Sequence, residues 1–159
     1  MSAVISECGQ YRYRLDRNLL FGTGVVAFIG VNPSTADAIE DDQTIKKMLG
    51  FAAHWGYLEV IVCNLFAYRD KDVSKLSGVS DPVGPLHAQY LAEVIEAADL
   101  IVPCWGSRKK MPRHLRSRPD ECLDMLRLAG KPLKHLGLTT SGDPAHPMIL
   151  SYNTPLITF

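Results

Sequence analysis

A chain of 159 residues suits one domain with one core, and a hydrophobic fraction of 47% supplies the apolar surface to build it. Seventeen basic and seventeen acidic residues cancel, which disfavours a protein that coats DNA through its net field. No apolar run approaches the roughly 20 residues that span a bilayer. Met1–Arg14 lacks a secretory leader's apolar stretch. Cys8, Cys63, Cys104 and Cys122 show neither C-x-x-C nor zinc-ligand spacing, so the expectation is reduced thiols, a cytoplasmic setting, no membrane, no cofactor and no metal.

Tyr11–Leu15 alternates in polarity and predicts a half-exposed strand, with Asp16-Arg17-Asn18 as a turn. Val25–Ile29 is a continuous β-forming run, the pattern of a strand buried on both faces; it stops at Gly30-Val31-Asn32-Pro33. Asp41 or Asp42 caps a predicted helix to about His54, with Ile45, Met48, Leu49, Ala52 and Ala53 as its apolar stripe and Gly56 as its stop. Glu59–Cys63 is a second buried strand, ending at Asn64. A long loop from Phe66 to about Pro85 precedes a helix over His87–Ala97. Leu100–Cys104 is the third buried strand, with Pro103 ending or bulging it because proline gives the ladder no donor. Basic Ser107–Arg118 leads to a helix that begins at Pro119, runs through Leu128 and stops at Gly130-Lys131-Pro132. Leu133–Leu138 reads as a fourth, shorter strand, and Leu156–Phe159 as a last apolar run. Alternating strands and helices predict a single α/β domain over residues 1–159, three layers α/β/α around a mostly parallel sheet.

In such a sheet ligands bind outside the carboxyl ends of the strands. Each predicted strand here ends in residues that a plain turn does not need: Asn32-Pro33-Ser34, then Asn64, then Trp105-Gly106-Ser107, and finally a tail carrying His146-Pro147. Asparagine offers a donor and an acceptor to an amide-like edge such as that of a pyrimidine. Histidine positions a leaving group or stabilises a developing anion. Taken singly these are turn dipeptides or core residues; their succession at strand ends points to a site.

The stretches Asn32–Ala38, Asn64–Ala67, Asp81–Pro85 and His146-Pro147 resemble the family filed as domain of unknown function 1643, found in bacteria and phages. More distantly, the strand ends resemble the uracil-DNA glycosylase superfamily. Gly30-Val31-Asn32-Pro33 is similar to its first motif in the version with asparagine. Val62-Cys63-Asn64-Leu65 is similar to the strand ending in the base-reading asparagine. Val102–Ser107 is similar to the strand ending in Trp-Gly, and His146-Pro147 to the last motif. That resemblance implies a glycosylase-like fold in which Asn32 holds the attacking water, Asn64 reads the base, His146 contacts the base carbonyl, and Phe66 or Tyr68 stacks on the ring. Met148-Ile149 stands where many glycosylases carry Ser-Pro.

Breaking an N-glycosidic bond calls for stabilising a sugar cation and a departing base anion, and for positioning a water. Asn32 orients a water but hardly deprotonates it, so a carboxylate is expected nearby. Asp37, Asp41 and Asp42 follow in the loop; Asp37 is the first candidate, with helix-dipole complementation as the structural alternative. Arg108, Lys109, Lys110 and Arg113 open a basic cluster suited to the phosphates of a DNA or nucleotide ligand, with Tyr11, Arg12 and Arg14 as a flank. His54, His87 and His135 read as surface or helix residues. Gly22-Thr23-Gly24 is no P-loop. The expectation is an N-glycosidic hydrolase acting on a nucleobase. The alternatives are a binding module without catalysis, and an α/β hydrolase using Ser34 or Cys104.

Overall fold

The computed structural model describes residues 1–159. In chain order the elements are β1 (Ser2–Ile5), β2 (Arg12–Asn18), β3 (Val25–Gly30), α1 (Gln43–Trp55), β4 (Glu59–Asn64), α2 (His87–Ala97), β5 (Leu100–Pro103), α3 (Arg118–Leu128), β6 (Lys134–His135) and β7 (Ile157–Thr158). The three continuous apolar runs lie together, as β4, β3 and β5, within a five-stranded sheet of order β1-β2-β4-β3-β5. Two further expectations hold closely. Asp42 caps α1, its Oδ1 accepting from the Ile45 amide at 2.9 Å, and Gly56 ends that helix at φ +79°.

The sheet is mixed rather than mostly parallel. β3 pairs parallel with β4 and β5, but β2 pairs antiparallel with both β1 and β4. Strand-helix alternation describes only the half built from continuous apolar runs. The alternating strand belongs to an antiparallel ribbon, where one face is less buried than the other. Asp16-Arg17-Asn18 is no turn; these residues continue β2, and Arg17 is held inside by Asp41 and three backbone carbonyls. The expected fourth strand contributes only a bridge, Leu133 to Ile101, before β6 pairs antiparallel with β7 in a separate small sheet.

Pro103 sits comfortably because β5 is an edge. The Cys104 amide points to β3, donating to the Ile29 carbonyl at 2.8 Å, so the neighbouring proline nitrogen faces away from the ladder. Apolar side chains fill both faces of the sheet. Val26, Phe28, Val60 and Val62 pack with Ile45, Met48 and Phe51 of α1 on one face. Ala27, Ile29, Ile61 and Cys63 pack with Leu91 and Val94 of α2 and Cys122 and Leu126 of α3 on the other. Each large aliphatic or aromatic side chain so enclosed contributes about 1.5–3 kcal/mol. The core therefore fixes the carboxyl ends of β3, β4 and β5 against one another. No helix is long and apolar enough to cross a membrane.

Candidate functional site

β3 and β4 end in step, with Gly30 beside Asn64. A Cβ on Gly30 would stand 2.6 Å from Asn64 Oδ1, so the glycine makes room for the asparagine side chain. Asn64 is also gripped from behind. Its carbonyl accepts from His87 Nε2 at 2.6 Å, which puts the ring proton on Nε2 and leaves Nδ1 to accept from Arg118 Nη2 at 3.2 Å. Arg118 Nε donates to the next carbonyl, Leu65, at 3.1 Å. Burial pushes His87 below the ordinary histidine value, and the Arg118 charge adds to this while the bond to Asn64 opposes it. His87 opens α2 as a helix residue but is buried, and His135, on β6, is buried too. The signal for His87 was present: His87, Leu91 and Val94 fall at i, i+4 and i+7 on the buried stripe of α2.

Beyond these strand ends lies a cleft with two chambers. The inner chamber, about 50 Å³, is lined by Asn32, Asn64 and His146 together with Arg12, Ser34 and Asp42. The outer chamber, about 360 Å³, is lined by Trp105, Gly106, Ser107, Lys71, Lys110 and Met111, with Met148 and Ile149 on its rim. Val31, Asn32 and His146 line both chambers. The outer volume falls within the range of small-ligand pockets.

Asn32 and Asp70 fasten two loops. Asn32 Nδ2 donates to the Asp70 carbonyl at 2.7 Å, and the Asp70 amide returns a bond to the carbonyl of buried Pro33 at 3.0 Å. With its amide nitrogen committed, Asn32 has its side-chain oxygen left as an acceptor. His146 Nδ1 accepts from the Met148 amide at 3.3 Å, so in the neutral ring the proton is on Nε2. Burial and the Lys110 charge hold its pKa below the ordinary histidine value, with Asp42 acting the other way. A neutral imidazole donor is therefore the form present at neutral pH. Gly106, at φ +77°, brings this segment in: its amide donates to Pro144 at 2.8 Å, and a Cβ there would lie 3.3 Å from His146 Cβ.

Other expected site residues stand elsewhere. The Asp37 carboxylate accepts from the Ile39 and Glu40 amides at 2.8 and 2.9 Å; the Glu40 and Ile39 bonds hold it below the usual carboxylate range, and it lines neither chamber. Asp42 is the carboxylate in the cleft. Phe66 is fully buried in the core, and Tyr68 meets Tyr11 edge-on. Cys104 is buried too, and burial pushes its thiol far up, which removes it as a nucleophile. Ser107 Oγ is within 3.0 Å of Ser141 Oγ and accepts from the Lys109 amide. Arg108 is occupied: it makes a two-pronged bond to Asp120 at 2.7 Å and a bond to the fully buried Asp143 at 2.8 Å. Lys109, Lys110 and Arg113 are exposed.

Arg12 is the residue that sequence reading placed least well. On an alternating strand with Tyr13 and Leu15 facing in, it reads as an outward flank. Instead it is 2% exposed, its amide bonded to Ala67 and its Nη1 to the Ala36 carbonyl at 2.7 Å, with no carboxylate in ion-pair reach. Burial lowers its pKa to about 10, with Asp42 pulling the other way, so the guanidinium stays charged at neutral pH. No three His, Cys, Asp or Glu residues converge to hold a metal ion.

No curated protein and no solved structure matches the chain. A family model described as "Protein of unknown function (DUF1643)" matches residues 12–148, a span that holds every residue of both chambers except Ile149. The chain therefore belongs to the DUF1643 family, and its cleft lies within the part of the sequence that defines that family.

Proposed function

We propose that the cleft binds a nucleobase, carried in a nucleic acid or a nucleotide, and hydrolyses its N-glycosidic bond. One observation carries this reading: Asn32, Asn64 and His146, set far apart in the sequence, line a single chamber that shares a wall with the Trp105-Gly106-Ser107 pocket. The order of these motifs along the chain resembles that of the uracil-DNA glycosylase superfamily, and Lys110 on the wall of the outer chamber, with exposed Lys109 and Arg113 near it in sequence, suits phosphates.

Each group has a role in the reaction. The Asn32 side-chain oxygen orients a water toward the anomeric carbon. As the bond to the base nitrogen breaks, its electron pair leaves with the base, and neutral His146 donates a hydrogen bond to the carbonyl on which that charge collects. The Asp42 carboxylate faces the growing sugar cation and accepts the water's proton; the departing base is protonated from solvent. Asn64, held by His87 and Arg118, reads the polar group that the ring presents to the inner chamber.

The test is base release from uracil-containing, mismatched and hypermodified-base DNA and from free nucleotides. Asn32→Ala and His146→Ala are each expected to lower release by about 10²-fold or more. Folded protein that releases no base from any of these substrates sinks the hydrolytic reading. A second reading, binding without catalysis, is favoured by one bond: Asp42 Oδ1 already caps α1, which weakens it as a base. Ligand-induced thermal stabilisation without turnover identifies that case.

A further inference from the structure

Three buried side-chain donors lack a partner: Arg12 Nε, Asn64 Nδ2 and Trp105 Nε1. All three belong to residues that line the cleft. A buried donor left unmade costs about 1–3 kcal/mol, more for a charged group, so a fold carries such a set only where something else repays it. The shared chemistry of the three is donation, and what they lack is an acceptor.

Charge narrows the class further. The charged side chains are Arg12 against Asp42 in the inner chamber, with Lys71 and Lys110 and no carboxylate in the outer one, while His146 is neutral. Arg12 has a fork to offer: Nη1 is spent on the Ala36 carbonyl, and Nε has no partner. The edge bearing Nε and Nη2 matches the two oxygens of a carboxylate or phosphate. At about 50 Å³ the inner chamber admits a compact group and not a ring, which belongs in the larger outer chamber against Trp105 and Met111.

We propose that the ligand is an anion: a planar ring in the outer chamber bearing an oxyanionic group, carboxylate or phosphate, that seats on Arg12 and Asn64 in the inner chamber. The proposal rests on the nucleobase reading for the ring and on the orphaned donors for the oxyanion. Arg12 is then a ligand-binding residue retained at some expense to the fold, since a buried charge without a carboxylate is readily replaced by an apolar side chain of similar size.

Titration calorimetry in phosphate-free buffer with orotate, uridine monophosphate, uracil and inorganic phosphate tests it. Orotate or uridine monophosphate is expected to bind at least about tenfold more tightly than uracil, an advantage that Arg12→Met lowers by about ten- to a hundredfold. The variant should stay folded, since the loss of the Ala36 bond is offset by removal of a buried charge that has no carboxylate. A preference for orotate puts the oxyanion on the ring and a preference for uridine monophosphate puts it on the sugar; either supports the proposal. Should Arg12→Met not fold, Arg12→Lys serves, because it keeps the charge and loses the fork, and it should forfeit most of the advantage. Uracil binding as tightly as both anions, an advantage that survives loss of Arg12, or no binding of either anion overturns the proposal. The two readings fail differently. Inorganic phosphate that binds as well as both ring-bearing anions removes the nucleobase and keeps the oxyanion. Uracil that binds as tightly as both anions, with all three indifferent to Arg12, does the opposite.

Discussion

Two arginines of one strand are both buried, and they are treated in opposite ways. Arg17 has Asp41 on its guanidinium at 2.7 Å and donates to the carbonyls of Ser2, Asp16 and Asp37. Arg12, five residues earlier, donates from its side chain to one carbonyl and to no carboxylate. A guanidinium taken out of water is costly unless its charge and its donors are met inside the protein. Arg17 meets that condition and serves the fold, pinning the loop before α1 to the sheet. Arg12 does not meet it, and it lines the cleft.

The largest effect should come from stripping the paired arginine. Asp41→Ala leaves Arg17 buried without its counter-charge and should destabilise the protein by about 3 kcal/mol in urea unfolding. Near-zero loss there would erase the contrast, since Arg12→Met loses only the bond to the Ala36 carbonyl and is expected to cost less. Gly30→Ala sharpens the functional side: the added methyl collides with Asn64 Oδ1, so a loss of about 1–3 kcal/mol is expected, along with weaker ligand binding. Asn32→Ala removes the tie to Asp70 and should cost only about 1 kcal/mol, small beside its effect on turnover.

The smallest effect is on pH dependence. His87 and His146 both lie below the ordinary value of 6.5 in the folded chain. Between that value and their folded ones the unfolded chain binds more protons, so their contribution is full above pH 6.5 and is lost as pH falls through the folded values. Urea unfolding at stepped pH should show stability declining below neutrality. His87→Gln keeps a donor for the Asn64 carbonyl and should flatten the curve; an unchanged slope would discharge His87 from this role.

Much of the fold could be read from local signals. The Asp42 cap and Gly56 stop of α1, the bounds of α2 and the three apolar runs follow from chemistry acting within a few residues of each position. Asn32 and Asn64 meet because β3 and β4 end side by side, whereas His146 arrives on a loop tied down by Gly106 and Asp143. What escaped was set by distant partners. β1 is short, and its pairing gives β2 its length and direction. Arg17 reads as a turn residue because its counter-ion, Asp41, lies in a different loop. Phe66 lies two residues after Asn64, yet it points into the core. Arg12 is buried by segments around Ala36 and Ala67, and nothing beside it in the sequence announces that. Asp37 and Asp42 are alike on paper; only the capped turn over Ile39 and Glu40 shows which carboxylate reaches the cleft.

The inner chamber joins Arg12, on the second strand, to His146, beyond the last α-helix. Nearly the whole family span must close on itself before this chamber exists, and contacts so distant in sequence form late and slowly. The His146 segment is latched by buried Asp143, which accepts from the Arg108 amide and side chain, and by the Gly106 to Pro144 bond. These ties lie outside the packed middle of the sheet, so the chamber should open by local fluctuation while β3 and β4 stay intact. The Gly106 amide would then exchange its hydrogen ahead of those in the paired strands, and a bound anion that bridges the two ends would slow it.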